Sequence, residues 1–185
     1  MNAQARNPFR SWMFIYVAFF LVAGDRAMAL EEPGYEVLMQ SGDIESRRYD
    51  PYVVAEVTVS GESADRQAFN ILAGYIFGEN DGNEKMSMTA PVETRDQDYA
   101  FVMESHYAMD TLPKPDDDRI RLREKPSRIM AVHAFSGGWN KRKFAKSEQR
   151  LLNSLAALGV NITGDIELAR YNSPCTPGFL RRNEV

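Results

Sequence analysis

The stretch YVVAEVTVSGESADRQAFNILAGYIFG, Tyr52–Gly78, changes period in its middle, and that change decides the fold. In the first part Val53, Ala55, Val57 and Val59 share one side, with Glu56 and Thr58 on the other. This predicts an antiparallel strand, Tyr52–Val59, covered on one face and in partial contact with solvent on the other. After Ser60-Gly61 the spacing becomes helical: Ala64, Ala68, Ile71, Leu72, Tyr75 and Ile76 fall on one stripe of Ser63–Phe77, and Gly78 suits the position just beyond a helix end. A helix lying on a sheet is expected. The same plan recurs downstream. Arg128–Phe135 reads as a strand and Ser136-Gly137 follows it, then Phe144, Leu151, Leu155 and Leu158 mark one helical face closed by Gly159.

Working outward, Tyr35–Gln40 and Ile44–Tyr49 read as strands around a Ser-Gly-Asp turn, with a break at Asp50-Pro51. The loop Gly78–Lys85 leads into an expected strand, Met86–Val92, joined by polar Glu93–Asp98 to Tyr99–Glu104. Ile120–Arg123 and Glu167–Tyr171 read as further strands, with a last one starting near Arg181. Pro113, Pro115 and Asp116–Asp118 mark a linker between two pseudo-repeats, about 35–105 and 118–185. Neither half is large enough to bury its own core, so the two should share one.

Composition excludes more than it selects. The chain has 185 residues, 44% hydrophobic and 26% charged, which suits one folded domain and not a disordered one. Lys and Arg number 22 against 26 Asp and Glu, so there is no positive excess to neutralise phosphates and no nucleic-acid partner is expected. One cysteine and two histidines are too few for a four-ligand Cys/His zinc site, and with His106 and His133 on separate segments no bis-histidine haem centre is expected. At the N-terminus Arg6 and Arg10 precede an uncharged apolar run, Trp12–Ala23, followed by Ala27-Met28-Ala29. The run is too short to span a bilayer and has the layout of a signal peptide, residues 1–29, cleaved after Ala29. Cleavage removes three arginines and one aspartate, taking the net charge from −4 to −6. The expected product is an exported monomer, 30–185, periplasmic if bacterial and otherwise secreted, with no stable membrane anchor. Cys175, alone in an oxidising compartment, is expected to be buried or unreactive.

Four further motifs stand in order: Tyr49-Asp50-Pro51-Tyr52, Lys85-Met86-Ser87-Met88-Thr89-Ala90-Pro91-Val92, Thr111-Leu112-Pro113-Lys114-Pro115, and Tyr171-Asn172-Ser173-Pro174 with Arg181–Val185. Together they resemble the SOUL/haem-binding protein family over nearly all of Tyr35–Val185. The resemblance implies an α+β fold in which two pseudo-repeats form a strongly bent antiparallel sheet or distorted barrel with one main helix per repeat. It also implies non-covalent binding of haem or another tetrapyrrole. Carried over by position, it picks out Arg66 and Phe69 on the first helix and Tyr171 in the second repeat. A histidine proposed as axial iron ligand in one branch of the family corresponds here to Arg48.

The residues leave several readings open. Arg48 could pair with a porphyrin propionate or simply with a neighbouring carboxylate on the surface. Met88 and His106 are fallback axial ligands, against the plainer reading of Met86 and Met88 as core fillers. His133 lies on an apolar strand face and reads as an interior histidine. No nucleophile elbow, metalloprotease helix or phosphate loop occurs, which favours a non-enzymatic binding protein. The alternatives are a module for another amphipathic small molecule or a protein partner, and a small hydrolase or isomerase with a paired acid and base.

Overall fold

A computed structural model describes residues 30–185; the proposed signal peptide, 1–29, lies outside the described residues. Nine strands run in chain order with two helices: β1 Tyr35–Ser41, β2 Ile44–Tyr49, β3 Tyr52–Thr58, α1 Ala64–Ile76, β4 Val92–Arg95, β5 Asp98–Val102, β6 Arg121–Lys125, β7 Arg128–Ser136, α2 Lys141–Ala157, β8 Leu168–Arg170 and β9 Arg182–Glu184. The sheet order is β1-β2-β7-β9-β8-β4-β5-β3-β6, antiparallel throughout.

This order forces the sheet to curl. β2 and β3 stand six places apart, which on a flat sheet would be roughly 29 Å at the usual strand spacing. Only Asp50-Pro51 joins them, and so short a connector reaches about 10 Å. β6 and β7, joined by Pro126-Ser127, make the same demand, so the two ends of the sheet must approach each other. The strands on either side of the central β4–β8 pair also mirror one another: β4-β5-β3 follows from one strand-helix-strand-strand unit and β8-β9-β7 from the other. The strands preceding the units are exchanged, β6 pairing with β3 and β2 with β7.

The helices cover the sheet unequally. Ala68, Leu72, Tyr75 and Ile76 of α1 are at most 1% exposed and pack with Val53, Ala55, Val57, Tyr99, Phe101 and Met103. Under α2 the buried cluster shrinks to Ile44, Leu151, Leu155 and Val185, with Ala131, Phe135, Phe144 and Ile166 only partly covered. Asn140 starts α2 by accepting a hydrogen bond from the Lys143 amide at 2.8 Å, and Gly159 ends it at φ 68°.

Three expectations are corrected. Met86–Val92 is not a strand: β4 begins at Val92, and Met86 and Met88 alternate because they pack on the α1 core. The expected connection Glu93–Asp98 shrinks accordingly to Asp96-Gln97. Glu56 is 4% exposed, because Arg121 of the neighbouring β6 covers it and donates to its carboxylate at 3.0 Å. Cys175 is exposed.

Candidate functional site

Strand alternation gives the curled sheet two chemically different faces. Opposite the helices lies a buried ionic network. Arg47 donates to Glu184 at 2.9 Å and to the Tyr49 hydroxyl at 3.1 Å, and the Tyr171 hydroxyl donates to Glu184 at 2.8 Å. Lys125 donates to Glu93 at 2.5 Å, Tyr52 to Glu93 at 2.6 Å, and Arg128 to the Tyr52 hydroxyl at 2.7 Å. Burial, with the nearby carboxylates, pushes the Tyr52 and Tyr171 hydroxyls far above their ordinary range. Burial opposes the charge on Arg47, but its hydrogen bonds to Tyr49, Glu184 and Glu45 outweigh that and raise its pKa. Every charge here is matched, and the space between them is only about 40 Å³. The network holds the fold and leaves no room for a ligand.

On the helix-bearing face α1 lies over β3 and β5 and α2 over β7, so the β4–β8 seam between them is left as the floor of a groove. The groove encloses about 320 Å³ between Asp65 at the start of α1 and Asn140, Lys141 and Phe144 at the start of α2. Trp139 forms one wall, its indole NH donating to Asn183 at 3.1 Å, with Arg170 at 5.5 Å and Arg181 at 4.7 Å from its ring centroid. Among the described residues, the buried side-chain polar atoms without a hydrogen-bond partner are Thr94 Oγ1 and Arg170 Nε, and both residues line this groove. Thr94 sits opposite Leu168 and Val92 opposite Arg170, which makes Thr94 and Arg170 diagonal neighbours on one face. Arg170 also touches Asp65 at 3.4 Å, yet its Nε–H stays unpaired. A buried donor left unmade costs about 1–3 kcal/mol, which a carboxylate would recover. Arg170 and Trp139 therefore suit the acidic edge of an aromatic molecule, on a lining that also carries Lys141 and the carboxylates Asp65, Asp96 and Glu148. Among the described residues, no histidine, cysteine or methionine lines the groove.

The residues singled out in the sequence are dispersed. Arg48 is exposed on β2 and paired with Glu36 at 3.0 Å, three strands from the groove floor. Arg66 is exposed on α1, next to the groove residue Asp65, and Phe69 on the same helix is 41% exposed and meets Phe101 edge-on with centroids 5.3 Å apart. Tyr171 belongs to the ionic network on the opposite face, with Arg182 stacked on its ring at 3.5 Å. His106 is exposed against Tyr107, and Met88 packs on the α1 core. Residue order does not mark Trp139, Arg170 and Thr94 as a site, since nothing in their local sequence shows that β4 and β8 pair.

His133 makes one arrangement that resembles a hydrolytic relay: Nδ1 lies 2.6 Å from Ser147 Oγ and Nε2 3.0 Å from Asp43 Oδ2. Asp43 is also held by Arg150 at 2.6 Å, and that hydrogen bond lowers its pKa. Ser147 is 4% and His133 6% exposed, and neither lines any of the cavities described in this chain. A nucleophile needs access to substrate, so this relay ties α2 to β7 and to the turn between β1 and β2.

Solved structures share the fold at low identity. The EcmrR C-terminal domain superimposes with a TM-score of 0.58 at 10% identity, over 81% of this chain and 94% of that one. A hydrolase from Listeria innocua gives 0.53 at 12% identity, over 80% and 91%, and an uncharacterized conserved protein from the same organism gives 0.57 at 10%, over 77% and 89%. A search of curated proteins found no match. The model of the SOUL heme-binding protein family matches residues 30–185, the whole of the curled sheet with both helices, and the chain belongs to that family.

Proposed function

We propose that this protein is an exported, non-enzymatic carrier of haem or a related tetrapyrrole, which it holds by an acidic edge in the groove between the two helices. The observation that carries the reading is the unpaired Arg170 Nε on the groove floor. Arg170 would accept a propionate, with Thr94 as a second polar contact and Trp139 against the ring. Arg181 and the exposed Arg66 are peripheral cations; Arg48 is committed to Glu36. When bound, haem supplies a planar apolar surface and two carboxylates.

With no thioether, thiol or imidazole among the described residues that line the groove, binding rests on burial and charge. Covering a few hundred Å² at about 25 cal/mol per Å² gives several kcal/mol before association costs, hence a micromolar-scale complex. Titration of residues 30–185 with haemin should shift the Soret band and quench Trp139, the one tryptophan in that range, with one-to-one saturation. Metal-free protoporphyrin IX should bind within about tenfold of haemin. Arg170→Gln should weaken both alike by about tenfold or more, and Arg48→Ala should weaken neither. A Soret shift identical in Arg170→Gln would remove this site. A hundredfold preference for haemin that His106→Ala or Met88→Leu abolishes would establish an iron ligand elsewhere.

Export rests on the segment Arg6–Ala29. Replacing Ala29 with a bulky residue should leave a larger, membrane-held precursor, and Met1 at the N-terminus of the soluble protein would refute the proposal.

A further inference from the structure

A cavity of about 740 Å³ lies along the later turns of α2, beyond Ile166, which it shares with the groove, and it differs from the groove chemically. It exists because β9 and the following Val185 join β7 only over His133–Ser136, so the start of β7 is unpaired by strand on that side, and the segment from Leu158 to Glu167 runs past it. Its lining includes Ile44, Ile129, Leu151, Leu155, Val160 and Ile162, and not one aromatic ring. Branched and linear aliphatic walls suit a flexible hydrocarbon better than a flat macrocycle, which gains from ring stacking. Five lining residues are largely exposed, Met39 at 62%, Ile129 at 63%, Leu158 at 53%, Val160 at 49% and Ile162 at 50%, so apolar surface continues from the cavity to its mouth.

Charged groups also line the cavity, and they are not equally engaged. Glu45 is held by Arg47 at 2.7 Å, and Glu167 by Lys125 at 3.2 Å and Arg128 at 3.3 Å. Arg95 has only loose contacts, 3.6 Å to Asp98 and 3.6 Å to Asp165, the latter side chain being 73% exposed and free to turn to solvent. We infer that this cavity binds a long-chain aliphatic carboxylate, its chain among the leucines and isoleucines and its head group on Arg95. The site shares only Ile166 with the groove and does not rest on the tetrapyrrole reading.

Calorimetric titration of the purified protein with straight-chain carboxylates from octanoate to palmitate, each below its micellar concentration, tests this. Affinity should rise about fourfold per added methylene until the cavity is filled. Ile129→Asp and Ile162→Asp, both at exposed positions, should each weaken laurate by about tenfold or more with thermal unfolding unchanged. Arg95→Gln should weaken laurate but not dodecanol, because only the carboxylate uses the guanidinium. Laurate should bind equally with and without saturating haemin, and Arg170→Gln should leave it unaffected. Absence of saturable binding, affinity unchanged by the two aspartate variants, or competition between laurate and haemin would overturn the inference.

Discussion

At the scale of single residues, the contrast between paired and unpaired polar groups separates structure from function. The ionic network opposite the helices pairs its buried charges with one another, whereas the groove has two orphaned buried atoms. The buried tyrosines of the network make a pH prediction. Below the ordinary tyrosine value near 10, Tyr52 and Tyr171 are protonated whether folded or unfolded, and contribute no pH dependence. Above it the unfolded chain releases protons that the folded state retains, so stability falls as pH rises, by up to about 1.4 kcal/mol per pH unit for each tyrosine. The urea midpoint should hold steady to about pH 9 and decline beyond about pH 10, less steeply in Tyr171→Phe. A midpoint that is flat across that range would mean that both hydroxyls ionise in the folded protein.

At the scale of elements, the two helices start differently. Ser63 precedes α1 without a capping bond from its side chain, and α1 is held by a large apolar cluster. Asn140 caps α2, whose packing is thin. Asn140→Ala should therefore cost about 1 kcal/mol and Ser63→Ala only a few tenths, read as shifts in denaturant midpoint. Equal effects would show that the cap plays no special part in holding α2. The thin packing of α2 is also what leaves space along its inner face, the groove at its start and the aliphatic cavity along its later turns.

At the scale of the molecule, exchange of β2 and β6 between the two strand-helix-strand-strand units interlocks them. Separating residues 35–105 from 118–185 would strip β3 of β6 and β7 of β2, exposing apolar edges on each. Either piece expressed alone should lack the near-ultraviolet circular dichroism of the whole, and the intact chain should unfold in one transition by both fluorescence and circular dichroism. A cooperative transition in an isolated piece would contradict this.

Much of the architecture is legible in residue order because it is local. The alternation in Tyr52–Val59, the stripe of α1 and the spacing of Phe144, Leu151, Leu155 and Leu158 report burial within a few residues of themselves, and the helices and most strands fall where these periods put them. Met86–Val92 misleads because its alternation records packing on α1, while strand pairing needs a partner that periodicity does not specify. Glu56 is covered by an arginine 65 positions away. The site is least legible for the same reason: Thr94 and Arg170 are ordinary polar residues until β4 meets β8, and only that long-range pairing buries them side by side with Thr94 Oγ1 and Arg170 Nε unpaired. Residue order by itself determined the duplicated plan and the family, through short-range period and contiguous motifs; which polar groups are paired and which are left facing a groove was decided by contacts that only the folded chain makes.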